Sequence, residues 1–142
     1  MRLFLDANVL VAVLNHEYPV FSYAARVLSL VDKPNFQVYT SPICLAIAYY
    51  FSEKKSGSKI AQQKLQILSQ KIKSTSVDQS TVNQASMFPY PIDFEDALEY
   101  YSALDKGCDV LITEDINDFY FSEIPVMNCQ DFIRQFFGSR KK

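Results

Sequence analysis

The stretch DFEDALEYYSALDKGCDVLITEDINDF, Asp93 to Phe119, joins a helix to a strand and sets acids at the entrance of one and the exit of the other. Asp93 stands where an N-cap belongs, and Phe94, Ala97, Leu98, Tyr101 and Leu104 recur along one helical face. Gly107 ends that helix. DVLIT, Asp109–Thr113, is short and apolar, as a strand covered on both faces should be. Asp115 and Asp118 follow it at once, and Asp96 lies in the first turn of the helix before it.

The same alternation of short strands and helices extends to both ends. Arg2–Leu5 reads as strand one and runs into Asp6. Phe21, Ala24, Ala25, Leu28 and Val31 mark a helix face that Lys33–Asn35, KPN, interrupts. Phe36–Thr40 is strand two, and Ser41 with Pro42 opens a helix, ICLAIAYYF, so apolar all round that it should be deeply buried. Ser52–Lys59 is a polar break before a face of Ala61, Leu65, Leu68 and Ile72. Ser74–Val77 is a weak third strand, and a short helix over Gln79–Met87 stops at FPYP, Phe88–Pro91. Pro125–Asn128 forms a fifth strand, and Phe132, Ile133, Phe136 and Phe137 a last helix. Strands separated by helices predict an α/β fold, a parallel sheet with helices on both faces.

The 142 residues fit one domain over 1–138, with residues 139–142 as a frayed basic tail. An apolar fraction of 49% supplies a core, and no run of residues approaches the ~18 needed to span a bilayer. A net charge of -2 excludes nucleic-acid binding by bulk electrostatics, so such contact needs a local basic patch. Cys44, Cys108 and Cys129 are odd in number and form no CxxC pair, which points to buried free thiols rather than a disulfide framework or a thiolate zinc site. With no signal-peptide shape at the N-terminus, because Asp6 interrupts the apolar run, the expected compartment is the cytoplasm. The single histidine, His16, stands without a serine or cysteine motif and reads as a surface residue. The three glycines form no phosphate-cradling loop.

The acids carry the functional reading. Open parallel sheets bind ligands beyond the carboxyl ends of their strands, where the strand order reverses. If strands one and four are neighbours across that point, Asp6, Asp96 and Asp115 share a cleft. Like charges so placed repel one another, and a divalent cation relieves the repulsion. Carboxylate oxygens suit Mg²⁺ or Mn²⁺, which can activate water toward a phosphodiester. Each acid also has a plain structural reading. Asp6 can cap a helix beginning near Asn8, Asp93 is a cap, Asp96 can complement a helix dipole, and Asp115 and Asp118 can form turns.

Taken together, LFLDANVLV, TSPICLAIAYY, DFEDALEYYSAL and CDVLITEDINDF make the chain resemble a PIN domain, the fold of many metal-dependent ribonucleases, including the VapC toxins of toxin–antitoxin pairs. The resemblance covers almost the whole chain. It implies a three-layer α/β/α fold with strand order 3-2-1-4-5 and an acidic site for Mg²⁺ or Mn²⁺. It makes Asp6, Asp96 and Asp115 the catalytic metal ligands, with Asp118 a further ligand and Asn8, Thr113 and Asp93 in support. It also implies an RNA substrate, a small antitoxin partner and a homodimer.

One position departs from the family pattern. The glutamate usual in the helix after strand two falls at Ile47, which cannot bind metal, and Glu53 lies about 240° further round the helix. Hence a second reading, a PIN scaffold that binds RNA or a protein without cutting. A third, an aspartyl-nucleophile phosphatase, wants a second Asp where Asn8 stands. Lys54, Lys55 and Lys59 cluster after the apolar helix, with Lys64, Lys71 and Lys73 beyond, and could meet phosphates, against the alternative of a solvated face. Tyr49, Tyr50 and Phe51 can stack on bases, but their apolar neighbours favour core packing.

Overall fold

The computed structural model describes residues 1–138, so the expected tail at 139–142 lies outside the described residues. Five parallel strands, β1 (Arg2–Leu5), β2 (Gln37–Thr40), β3 (Lys73–Ser74), β4 (Val110–Ile112) and β5 (Val126–Met127), form one sheet in the order β3-β2-β1-β4-β5. β1 is central. Leu3 stands opposite Val38 on one side and Val110 on the other, and Phe4 opposite Tyr39 and Leu111. Leu3, Phe4 and Leu5 have no exposed surface, which is why this strand has no polar alternation. The strand order reverses between β1 and β4, as the resemblance implied.

Among the described residues seven helices connect and cover the strands: α1 (Ala7–Leu14), α2 (Val20–Leu28), α3 (Pro42–Ser56), α4 (Ser58–Lys71), α5 (Gln79–Ser86), α6 (Phe94–Asp105) and α7 (Cys129–Phe137). α3 packs on α1 and α4, α2 packs on α1 and α7, and α5 packs on α6. Two helix starts matter for the site. Ser41 caps α3, its hydroxyl accepting from the Cys44 amide at 3.0 Å, with Pro42 at the first helical position. Asp93 caps α6 by accepting from the Asp96 amide at 2.9 Å. α6 ends at Gly107, whose φ of 68° is open to glycine. The Gly107 amide donates to Leu104 and the Cys108 amide to Ala103, a Schellman closure that turns the chain into β4.

Three local expectations fail. α3 is not deeply buried: only Cys44, Ala48 and Ser52 are buried along it, and Tyr50 and Phe51 are exposed. An apolar composition places a helix against a core only on the side that meets one, and α3 meets α1 and α4. The polar segment 52–59 is not a break; α3 runs through Ser56, and the chain turns only at Gly57, with φ 86°. The third strand is shorter and earlier than expected, pairing Lys73 with Tyr39 and Ser74 with Thr40. The three cysteines are buried free thiols. Among the described residues no helix is long and apolar enough to cross a membrane.

Candidate active site

A cleft of about 500 Å³ opens at the carboxyl edge of the sheet, beside the β1–β4 switch. Asp6, Asn8, Asp93, Asp96, Asp115 and Asp118 all line it. These residues come from three separate segments. Asp6 follows β1, Asn8 lies in the first turn of α1, and Asp93 and Asp96 open α6. Asp115 follows β4, and Asp118 belongs to the 3-10 turn Ile116–Phe119 behind it. The parallel ladder fixes the two strand exits together, since Leu5 pairs with Ile112 and the Asp6 amide donates to the Ile112 carbonyl at 2.9 Å.

Asp6 caps α1, as its structural reading expected, and still lines the cleft. Its Oδ1 accepts from the Ala7 amide at 2.7 Å, capping α1, and its Oδ2 accepts from the Thr113 hydroxyl at 2.8 Å. Thr113 is completely buried and works in three directions. Its single proton goes to Asp6, while its oxygen accepts from Asn8 Nδ2 at 3.1 Å and from the Asp115 amide at 3.0 Å. Asn8 Nδ2 also reaches Asp115 Oδ2 at 3.2 Å, and Asn8 Oδ1 accepts from the Glu114 amide at 3.1 Å. Asn8 and Thr113 thus lock the two strand exits and aim Asp6 and Asp115 at the same space.

The carboxylates step from floor to rim. Asp6 is 8% exposed, Asp96 is half-buried, and Asp115 and Asp118 are exposed. At the floor stands an acid that the sequence reading passed over. Glu99, one helical turn beyond Asp96, is 1% exposed and lines the cleft. Ligand-capable atoms of Asp6, Cys44 and Glu99 lie within 4.8 Å of one another, and the Cys44 thiol approaches Asp6 Oδ1 at 3.9 Å. A signal for Glu99 was present in the sequence: Ala97, Leu98, Tyr100 and Ala103 around it are all buried, and a charge set among them needs a purpose. Ile47 lines the opposite wall, offering no donor, and Phe51 stands one turn beyond it.

The electrostatics fit a cation. Burial pushes the Glu99 carboxyl up to about 11, helped by its hydrogen bond with Asp6 and the Asp6 charge. Asp96 is pushed up to about 7, by burial first and then by Asp93, Asp6, Asp118 and Glu95. Burial raises the Cys44 thiol well above its ordinary value, with Glu99 and Asp6 adding to the effect. Among the described residues that line the cleft there is no lysine or arginine. The donors are almost all carboxylate oxygens, the set that hard divalent cations such as Mg²⁺ and Mn²⁺ accept.

The basic cluster stands elsewhere. Lys54 and Lys55 are in α3, not in a loop beyond it, and Lys59 is near the start of α4; none lines the cleft. Lys54 sits over the Tyr50 ring at 5.3 Å, and the Lys55 ammonium donates to the Asn15 carbonyl at the end of α1. Phe51, expected in the core, is 45% exposed at the cleft wall.

The family model described as PIN domain matches residues 2–117. No curated protein matches significantly. Several solved structures share the fold. VapBC2 of Rickettsia felis, bound to a DNA fragment from its promoter, aligns at TM-score 0.69 and 21% identity, covering 90% of this chain and 98% of that one. Mycobacterium tuberculosis VapC20, a toxin that cleaves the sarcin–ricin loop, aligns at 0.65 and 21%, covering 86% and 98%. VapBC-1 of nontypeable Haemophilus influenzae aligns at 0.70 and 17%, covering 92% and 99%.

Proposed function

This chain belongs to the PIN domain family, and on that premise we propose that it is a divalent-metal-dependent endoribonuclease, the toxin of a toxin–antitoxin pair. The observation that carries the reading is the meeting of Asp6, Asp96, Asp115 and Asp118 in one cleft at the switch point of the sheet, without a cationic side chain among the described residues lining it. Asp6, Asp96 and Asp115 are the catalytic residues and would hold Mg²⁺ or Mn²⁺, with Asp118 at the rim. A cation held there would offset the carboxylates' repulsion and supply Lewis acidity for hydrolysis of an RNA phosphodiester. Asn8 and Thr113 orient Asp6 and Asp115 through the bonds described above, and Asp93 fixes the first turn of α6 so that Asp96 faces the cleft. Without a cation, burial and the neighbouring acids raise Asp96 to about 7, and a cation held there would favour its charged form. Lys54, Lys55 and Lys59 would meet RNA phosphates away from the reacting bond.

The solved neighbours support the toxin assignment, two of them being VapBC assemblies and the third a cleaving toxin. We infer from them a small antitoxin partner, and from the family a homodimer, a cytoplasmic location and a single domain over residues 1–138. The test is RNA cleavage by the purified protein with Mn²⁺ and with EDTA, for wild type and Asp6→Asn. Cleavage that needs the cation and vanishes in Asp6→Asn supports the reading; unchanged cleavage in Asp6→Asn ends it. Ile47 favours one rival, a scaffold that binds RNA or protein without cutting. That reading wins if calorimetry at millimolar Mn²⁺ detects no binding.

A further inference from the structure

We propose that Glu99 is a direct ligand of the divalent cation, supplying from α6 the carboxylate that α3 lacks at Ile47. The inference rests on the metal-centre reading above and deepens it. Four observations carry it. Glu99 lies at the floor of the cleft, 1% exposed, three residues after Asp96 on the same face of α6. Its Oε1 is buried and has no hydrogen-bond partner among the described residues. A ligand-capable oxygen of Glu99 lies within 4.8 Å of one of Asp6, close enough for one ion to bridge them. Across the cleft, Ile47 is partly buried against the core and brings no polar atom.

A buried carboxyl group with an orphaned oxygen is costly, and natural proteins keep one where something completes it. A lysine or arginine would do so from within, but among the described residues none lines this cleft. Within the chain Glu99 is left as a neutral acid beside Asp6 with its Oε1 unpartnered, and a cation from outside would complete it. Asp6 and Glu99 offer hard oxygen donors. Cys44, the third member of the cluster, offers sulfur, which Mg²⁺ and Mn²⁺ bind poorly. The pair that grips the ion is thus Asp6 with Glu99, and Cys44 packs beside them from α3. Ile47, in contact with the same space, fills volume where a second carboxylate would otherwise compete with Glu99 for one ion.

The test is calorimetric titration of Mn²⁺ into the full chain, with four proteins compared: wild type, Glu99→Gln, Asp6→Asn, and the double variant Glu99→Gln/Ile47→Glu. Gln preserves the shape of Glu99, and circular dichroism reports whether each protein is folded; Glu99→Asp, which retracts the carboxylate by one carbon, replaces Glu99→Gln should that variant not fold. Glu99→Gln should weaken Mn²⁺ binding at least ~10-fold, as loss of a ligand should exceed loss of an outer partner. The double variant should recover most of that loss, because the carboxylate has been returned to the same cleft from the other wall. Glu99→Gln that binds Mn²⁺ as tightly as wild type, while Asp6→Asn does not bind, overturns the assignment of Glu99 and leaves the metal centre standing. Loss in Glu99→Gln without recovery in the double variant overturns the equivalence of the two positions. Wild type that binds no Mn²⁺ overturns the metal centre itself, and this inference with it.

Discussion

The two helices that wall the cleft, α3 and α6, begin alike and diverge within two turns. Each opens with a side-chain cap on the amide three residues on, Ser41 for α3 and Asp93 for α6. Each then sends side chains into the same space. From α6 these are Asp96 and Glu99; from α3 they are Ile47 and Phe51. One wall is acidic, the other apolar. An acidic wall needs a cation, and an apolar wall with an exposed ring suits the face of a base. The difference teaches that a cleft with a missing acid need not be a dead one. The fold brings two walls to one space, and a carboxylate can enter from either.

The largest break in the comparison comes at the point both walls face. Asp6→Asn removes one charged oxygen but keeps the cap on Ala7. RNA cleavage in Mn²⁺ should fall by more than ~100-fold, beyond the range typical of outer-shell partners. Initial rates at saturating RNA measure it. A smaller loss would mean that α6 alone holds the ion. Thr113→Val is next. It keeps the volume of a completely buried side chain but strips the hydroxyl that serves Asp6, Asn8 and the Asp115 amide. Activity should fall ~10–100-fold, and stability by about 1–3 kcal/mol, because buried partners lose their bonds. A melt and a cleavage assay on the same preparation separate the two effects.

Both walls were unequally legible in the sequence. α6 announced itself through Asp93, the spaced apolar face and Gly107, because capping and termination are local and need only neighbouring residues. The strand exits were equally plain: Asp6 and Asp115 each end a buried strand, and a parallel sheet brings such ends together. α3 was misread because burial is a tertiary property. ICLAIAYYF has enough apolar residues for a core helix, yet which of them meet a partner depends on how α1 and α4 pack against it, which periodicity within the helix does not tell. Glu99 was missed for a related reason. Its neighbours mark it as inward-facing, but only the assembled cleft puts it beside Asp6.

The acidic wall has a signature of its own when no cation is present. Glu99, ordinarily near 4.5, is raised to about 11, and Asp96, ordinarily near 3.8, to about 7. The groups facing them are Asp6, Asp93, Glu95, Asp118 and Cys44. Well below 3.8 both carboxyls are protonated folded and unfolded, and they cost nothing. As pH rises, the unfolded chain releases those protons first, so the folded state is progressively disfavoured. In EDTA the melting temperature should fall from pH 4 upward, with the Asp96 contribution exhausted near pH 7 and that of Glu99 continuing to about pH 11. Glu99→Leu should flatten that slope and raise the melting temperature at pH 8, while abolishing tight Mn²⁺ binding. Thermal melts at several pH values decide it, and a slope unchanged by Glu99→Leu would remove Glu99 from the account. From α3 only the Cys44 thiol adds to this, at the alkaline end, since Ile47 and Phe51 do not titrate.

The smallest effect tests the apolar wall. Phe51 is 45% exposed at the cleft, one turn from Ile47, and its ring meets Tyr50 edge-on with centroids 5.2 Å apart. If that wall takes a base of the substrate, Phe51→Ala should raise KM for RNA about fivefold, from the low end of stacking energies near ~1 kcal/mol. The turnover number should stay within about twofold, because a ring that binds substrate and transition state alike contributes uniform binding. Stability should fall by less than the ~3–5 kcal/mol typical of a core Phe→Ala, since nearly half of the residue is exposed. The measurement is a set of initial rates across RNA concentrations at fixed Mn²⁺. A fall in turnover with unchanged KM would instead tie Phe51 to the acids it faces, and the division of labour between α3 and α6 would have to be given up.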